Sequence, residues 1–195
     1  LMRLTDADFA RAAKALGCDD AAIRAVAEVE SSGKGFLPNG IPVMLFEAHI
    51  FSRLTEGKYD VKYPDISSRT WNRKLYATGK DWIERGTKEN QRLEKASSLD
   101  RTAALQSASY GLFQVMGFNW KLCGYANLQS FINDVWRSEG GQLNACVGFI
   151  KAKKLDVHLR NKDWAKFALG YNGLGYKMNK YDEKLAAAYK RNGGV

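Results

Sequence analysis

Apolar residues recur at helical spacing behind Thr5-Asp6-Ala7-Asp8, a capping-box pattern: Phe9, Ala12, Ala13 and Leu16 follow, and Gly17 stops the run. A second helix is predicted from Asp19-Asp20 through Ile23, Val26 and Ala27 to about Ser31, where Ser31-Ser32-Gly33-Lys34-Gly35 breaks it. From Lys80 onward the pattern is again helical, over 80–99, 102–106, 127–137, 142–153, 162–169 and 179–190, with Gly at most of the breaks. Residues 33–80 differ. Gly33, Gly35, Gly40, Gly57 and Gly79, with Pro38, Pro42 and Pro64, punctuate short apolar pieces there, which predicts short strands or turns around one helix near 47–56. The pattern predicts a single, mainly α (α+β) domain over 1–195. A helical body of about 1–32 and 100–195 would carry a smaller lobe of about 33–99, with a cleft between them.

Composition narrows the class. The chain has 195 residues, 45% hydrophobic and 26% charged, which is globular and excludes disordered, collagen-like and disulfide-dense chains. No apolar run reaches the ~18 residues of a membrane span, and no leader pattern is seen near Leu1 and Met2. Lys and Arg (30) exceed Asp and Glu (21), a net charge of +9 that favours polyanionic partners: nucleic acid, anionic membrane or envelope polymers. Three widely spaced cysteines, Cys18, Cys123 and Cys146, predict reduced, mostly buried thiols. His49 and His158 lack a third ligand at metal spacing, so neither metal nor other cofactor is expected.

One carboxylate stands out of place. Ile23, Val26 and Ala27 lie at i, i+3 and i+4 of the second helix, and Glu30 is the i+7 member of that apolar stripe. Desolvation and the negative end of the helix dipole both disfavour its anion. Both raise its pKa, as a general acid for glycosidic cleavage requires. The plainer alternative is a solvated or ion-paired helix-end glutamate. Glu28, about 200° further round, belongs on the wet face.

Glu47, set in Leu45-Phe46-Glu47-Ala48-His49-Ile50-Phe51, is the candidate second carboxylate, a base or water-positioning group. A structural ion pair with Arg53 or His49 is its alternative. Asp60 and Asp65 sit in looser surroundings. Inverting glycosidases leave ~6.5–9.5 Å between the two carboxyl groups and retaining ones about 5–5.5 Å. Gly170-Tyr171-Asn172-Gly173-Leu174-Gly175 follows a helical rather than a strand pattern, which removes a nucleotide-loop reading. Among the tryptophans, Trp71 is the candidate sugar platform. The basic, amphipathic tail at 179–190 is predicted to be a packed surface helix rather than a membrane-disrupting one.

Three ordered segments carry a resemblance: Val29-Glu30-Ser31, then Ser109-Tyr110-Gly111-Leu112-Phe113-Gln114-Val115, then Ala168-Leu169-Gly170-Tyr171-Asn172-Gly173. Together they resemble the lysozyme superfamily, particularly goose-type lysozymes and lytic transglycosylases. The stretch from Ala25 to Phe36, followed by Phe46-Glu47-Ala48-His49-Ile50-Phe51, is similar to N-acetylmuramidase endolysins of phages infecting Gram-negative hosts.

The resemblance implies a lysozyme-like, two-lobed fold with a substrate groove between the lobes. It implies that Glu30 is the acid, that Ser109, Tyr110, Gly111 and Gln114 line the sugar groove, and that Tyr171 and Asn172 border the muramic-acid subsite, the Tyr hydroxyl reaching Glu30. Gly111 would admit a sugar close to the backbone. Some phage lysozymes place an Asp and then a Thr after the glutamate. Here that interval holds Asn39 and no aligned Asp, which leaves the water-activating role to Glu47.

The expected reaction is hydrolysis of the β-1,4 bond between N-acetylmuramic acid and N-acetylglucosamine in peptidoglycan. The expected enzyme is a monomer made in the host cytoplasm without a signal peptide, and it acts in the periplasm once the membrane is breached. It needs no nucleic acid and no integral membrane association, with weak contact to the anionic envelope at most. A transglycosylase giving 1,6-anhydro-muramic ends and a non-catalytic basic wall-binding module are the alternatives.

Overall fold

A computed structural model describes residues 3–31 and 33–195. Leu1 and Met2, at the start of the chain, and Ser32, in the predicted break after Glu30, lie outside the described residues. The first two predicted helices form where their caps place them. Helix α1 (Asp6–Leu16) has the Thr5/Asp8 capping box and ends on Gly17 in the left-handed region (φ 65°). Helix α2 (Asp20–Glu30) starts from the Asp19 carboxylate, which accepts from the Ala22 N–H (2.8 Å). Ile23 and Val26 are fully buried, and α2 packs on α1.

The next segment contributes strand β1 (Met44–Phe46) and helix α3 (Ala48–Leu54), then the long helix α4 (Trp82–Ser97) and α5 (Arg101–Gln106). The remaining helices are α6 (Leu128–Arg137), α7 (Glu139–Ala152), α8 (Asp156–Arg160), α9 (Trp164–Asn172) and α10 (Tyr181–Arg191). Two features depart from the sequence pattern. Short strands were expected within 33–80, yet β1 is the strand there, beside a single bridge between Phe36 and Pro42. Its partners come from far along the chain, β2 (Ala108–Tyr110) and β3 (Val115–Met116), in the antiparallel order β1-β2-β3. Second, α7 begins at Glu139 rather than Gln142. Gly140 and Gly141 lie in the first turn of α7, and they are glycines there because a Cβ would run into Asp8 (2.4 Å) and the Asp134 backbone (2.0 Å).

The outer edge of β1 faces α4, and a buried ion pair covers it. Glu89 Oε2 accepts from the Phe46 N–H (3.0 Å) and from Arg92 Nη1 (2.8 Å), and Arg92 donates to the Phe46 carbonyl (3.1 Å). Glu89 Oε1 accepts from the Ala77 N–H (2.6 Å). An otherwise unpaired strand edge is thereby satisfied without a further strand. The chain continues from Phe46 into Glu47, so this pair also sets the position of a candidate site residue.

The tail helix is packed, as predicted. Leu185, Ala188 and Tyr189 of α10 are buried, and α10 lies along α2. Tyr189 donates to Asp19 (2.9 Å), and Asn192 donates to Glu28 (2.9 Å), which also pairs with Arg191. Glu28 is therefore exposed and ion-paired, on the face opposite Glu30. The three cysteines are free, Cys123 and Cys146 buried and Cys18 half-buried. Among the described residues, no helix is long and apolar enough to cross a membrane and no cluster of side chains could hold a metal.

Candidate active site

Glu30 is the last residue of α2, half-buried, at the end of the stripe that Ile23, Val26 and Ala27 begin. Asn172, the last residue of α9, donates from Nδ2 to Glu30 Oε2 (2.8 Å). Glu30 Oε1 and Asn172 Oδ1 are both buried with no hydrogen-bond partner. A carboxylate oxygen without a donor is costly in a dry site, and a proton on the carboxyl removes that cost. Burial accordingly pushes the Glu30 pKa above the ordinary glutamate value, only partly opposed by the Asn172 hydrogen bond and the charge of Lys184.

Tyr171 forms the wall beside this pair. Its ring stacks on Phe167 (5.5 Å, 16°) and meets Phe149 edge-on (5.8 Å, 84°). The expectation that its hydroxyl bonds Glu30 is corrected: the hydroxyl lies 3.4 Å from Cys146 Sγ. Burial raises the Tyr171 pKa well above the ordinary tyrosine value and that of Cys146 to about 12, so both stay protonated and neutral. A dry, uncharged wall of this kind disfavours an anion at Glu30.

Tyr171, Phe149 and Asn119 line a cavity of about 200 Å³ that extends to Gln114. Gln114 holds a left-handed backbone (φ 49°), and its side chain is clamped at both ends. Nε2 donates to the Gly111 carbonyl (2.7 Å) and the Val43 carbonyl (3.3 Å), and Oε1 accepts from Ser109 Oγ (2.8 Å). On the other side of Gln114 a larger cavity of about 430 Å³ opens between β1 and α4.

Two neighbours of Gln114 do not serve as expected. Tyr110 is 1% exposed and donates to the Leu105 carbonyl (2.9 Å); it belongs to the core because strand alternation turns it away from the Ser109 face. Gly111 makes room for protein rather than for a sugar. A Cβ there would lie 2.1 Å from Cδ of Gln142, whose buried amide accepts from the Leu112 N–H (2.9 Å) and donates to the Gly35 carbonyl (3.2 Å). Gly111→Ala, clashing there and strained at φ 70°, is expected to destabilise the fold by about 2 kcal/mol or more, read from urea unfolding.

Glu47 occupies a separate cluster. It precedes α3 and makes no side-chain cap; its backbone N–H donates to the Ser107 carbonyl (2.8 Å). Its Oε2 accepts from the Tyr76 hydroxyl (2.7 Å) and lies 3.3 Å from His49 Nδ1. Tyr76 in turn accepts from the indole N–H of Trp71 (2.6 Å). Burial and the Glu47 carboxylate raise the Tyr76 pKa to about 12. Trp71 is 59% exposed, consistent with a surface aromatic that a sugar can reach. Arg53 instead lies over the Phe118 ring (6.0 Å). No hydrogen bond or ion pair joins the Glu47 cluster to Glu30 among the described residues. Sequence reasoning missed the Asn172 hydrogen bond to Glu30, since nothing local to either residue signals it.

A helix-end glutamate with an orphaned oxygen, held by Asn172 next to the cavity-lining Tyr171, is an arrangement suited to acid catalysis on a sugar. The family model for N-acetylmuramidase matches residues 19–193. The chain belongs to the N-acetylmuramidase family. No curated protein matches it. Among solved structures it is similar to the crystal structure of a Burkholderia AP3 phage endolysin, at 44% identity with a TM-score of 0.86, over 97% of this chain and 70% of that one. This muramidase is therefore a glycoside hydrolase of bacterial peptidoglycan with a lysozyme-like α+β fold.

Proposed function

We propose that this muramidase is a phage endolysin in which Glu30 protonates the glycosidic oxygen between N-acetylmuramic acid and N-acetylglucosamine. The observation that carries this role is the Glu30 carboxyl itself, with one oxygen held by Asn172 and the other buried without a donor. A site that disfavours the anion supplies a proton to a leaving group as an oxocarbenium-like sugar develops. Tyr171 and Gln114 border the sugar, with Ser109 holding the Gln114 amide in place. The groove runs between the helical body and the smaller lobe of about 33–99.

Glu47 positions the attacking water, its own place fixed by Tyr76 and His49. Glu47→Gln is expected to lower kcat by about 10²-fold or more with little change in KM, measured on soluble glycan strands. An unchanged kcat would reduce Glu47 to a structural partner of Tyr76. The enzyme acts as a monomer, and the net charge of +9 supports weak attraction to the anionic envelope. Its place of action is the periplasmic wall, reached from the cytoplasm once the inner membrane is breached.

Mass spectrometry of digested peptidoglycan tests the reaction. Reducing muramic acid ends are expected. Anhydro-muramic ends, lighter by one water, would overturn hydrolysis.

A further inference from the structure

We infer that the 430 Å³ cavity between β1 and α4 is a second binding site, one that takes the short acidic peptide borne by muramic acid rather than another sugar. The inference rests on the muramidase reading of Glu30, and it adds a determinant of substrate preference to it. The volume falls within the range of about 300–1,000 Å³ typical of small-ligand pockets.

The walls are unsuited to a pyranose. Met44, Leu45, Ala77 and Trp82 present apolar surface, and the acceptor-bearing side chains there, Glu89 and Gln114, are already engaged. Glu89 spends its oxygens on Phe46, Ala77 and Arg92, and Gln114 spends its N–H groups on Gly111 and Val43. A sugar ringed with hydroxyls would leave them without partners there, at a cost for each. Alanine methyls and an aliphatic peptide stem would meet the walls well.

Charge selects the same ligand. Lys34 Nζ sits 4.0 Å above the Trp82 ring, which holds an ammonium at the cavity and covers the ring face a sugar would stack on. Arg85, exposed on α4, also lines the cavity; its hydrogen bond goes to the neutral Gly79 carbonyl (3.5 Å), and it makes no ion pair among the described residues. With the Glu89 carboxylate already paired to Arg92, the two cations around the pocket complement carboxylates at the end of a methyl-bearing chain. Gln114 lines both this cavity and the one containing Tyr171, so the two lie on either side of a single side chain and a branch need only pass it.

The test compares two substrates with the same glycan: uncrosslinked strands carrying their peptide stems, and strands stripped of stems by an amidase. The native enzyme is expected to have the lower KM on stem-bearing strands. Lys34→Ala/Arg85→Ala should raise that KM by ~10-fold, to the value for stripped strands, while kcat, the stripped-strand rate and the melting temperature stay unchanged. Lys14→Ala/Lys151→Ala, which removes two exposed charges lining neither cavity, should leave the preference intact. Equal native KM values on both substrates, or equal losses in the two double variants, would overturn the stem site. Cleavage of neither substrate by the native enzyme would instead overturn the muramidase reading beneath it.

Discussion

Glu30→Gln is expected to lower the rate of peptidoglycan hydrolysis by about 10³-fold or more, with wall binding retained. The amide preserves the shape of the side chain and keeps an acceptor for Asn172, but it has no proton to deliver. Activity of the native enzyme should follow the protonated form of Glu30, declining as pH rises through its elevated pKa.

The same substitution has an opposite effect on stability. Because the folded pKa of Glu30 lies above its unfolded value, the folded state holds the proton more tightly, and native stability falls as pH rises between the two values. Above the folded pKa the full penalty of an anion in a dry site is present. Below ~pH 4 both states are protonated and it vanishes. Glu30→Gln should therefore raise the melting temperature at neutral pH and leave it nearly unchanged at low pH. Thermal unfolding across pH reads this directly.

The largest loss of stability is expected on breaking the pair between Glu89 and Arg92. Glu89, only 3% exposed, satisfies two backbone N–H groups and a guanidinium whose Nε is already buried without a partner. Glu89→Ala leaves both N–H groups without an acceptor and Arg92 without its counter-charge, and a cost of ~3–5 kcal/mol follows, measurable by urea unfolding. Glu89→Leu/Arg92→Met together should recover only part of it: no buried charge is then left unpaired, but the Phe46 and Ala77 N–H groups stay without an acceptor. Activity of Glu89→Ala should also fall, since Phe46 fixes the strand end from which Glu47 starts.

These features were not equally legible in the sequence. Helix boundaries were legible because they are local: the Thr5/Asp8 box, Gly17 in the left-handed region and the Asp19 cap all announce themselves within a few residues. Glu30 was legible for the same reason, as a charge interrupting a stripe of period 3.6. The sheet was not, because β1 pairs with β2 some sixty positions later and three-residue strands carry almost no pattern. Gly140 and Gly141 suggested a break, yet they serve close packing against Asp8 and Asp134. The resemblance implies a place beside the sugar for Gly111, yet its neighbour is Gln142, a residue no spacing rule connects to it. The roles of Asn172 and of the Glu89 pair arise only when distant helices meet.

Titration of the Glu30 side-chain carboxyl, followed by carbon NMR with Glu30→Gln for assignment, bears most directly on the proton donor. An inflection well above the ordinary glutamate range is the outcome required here. Ionisation at the value of a solvent-exposed glutamate would contradict it.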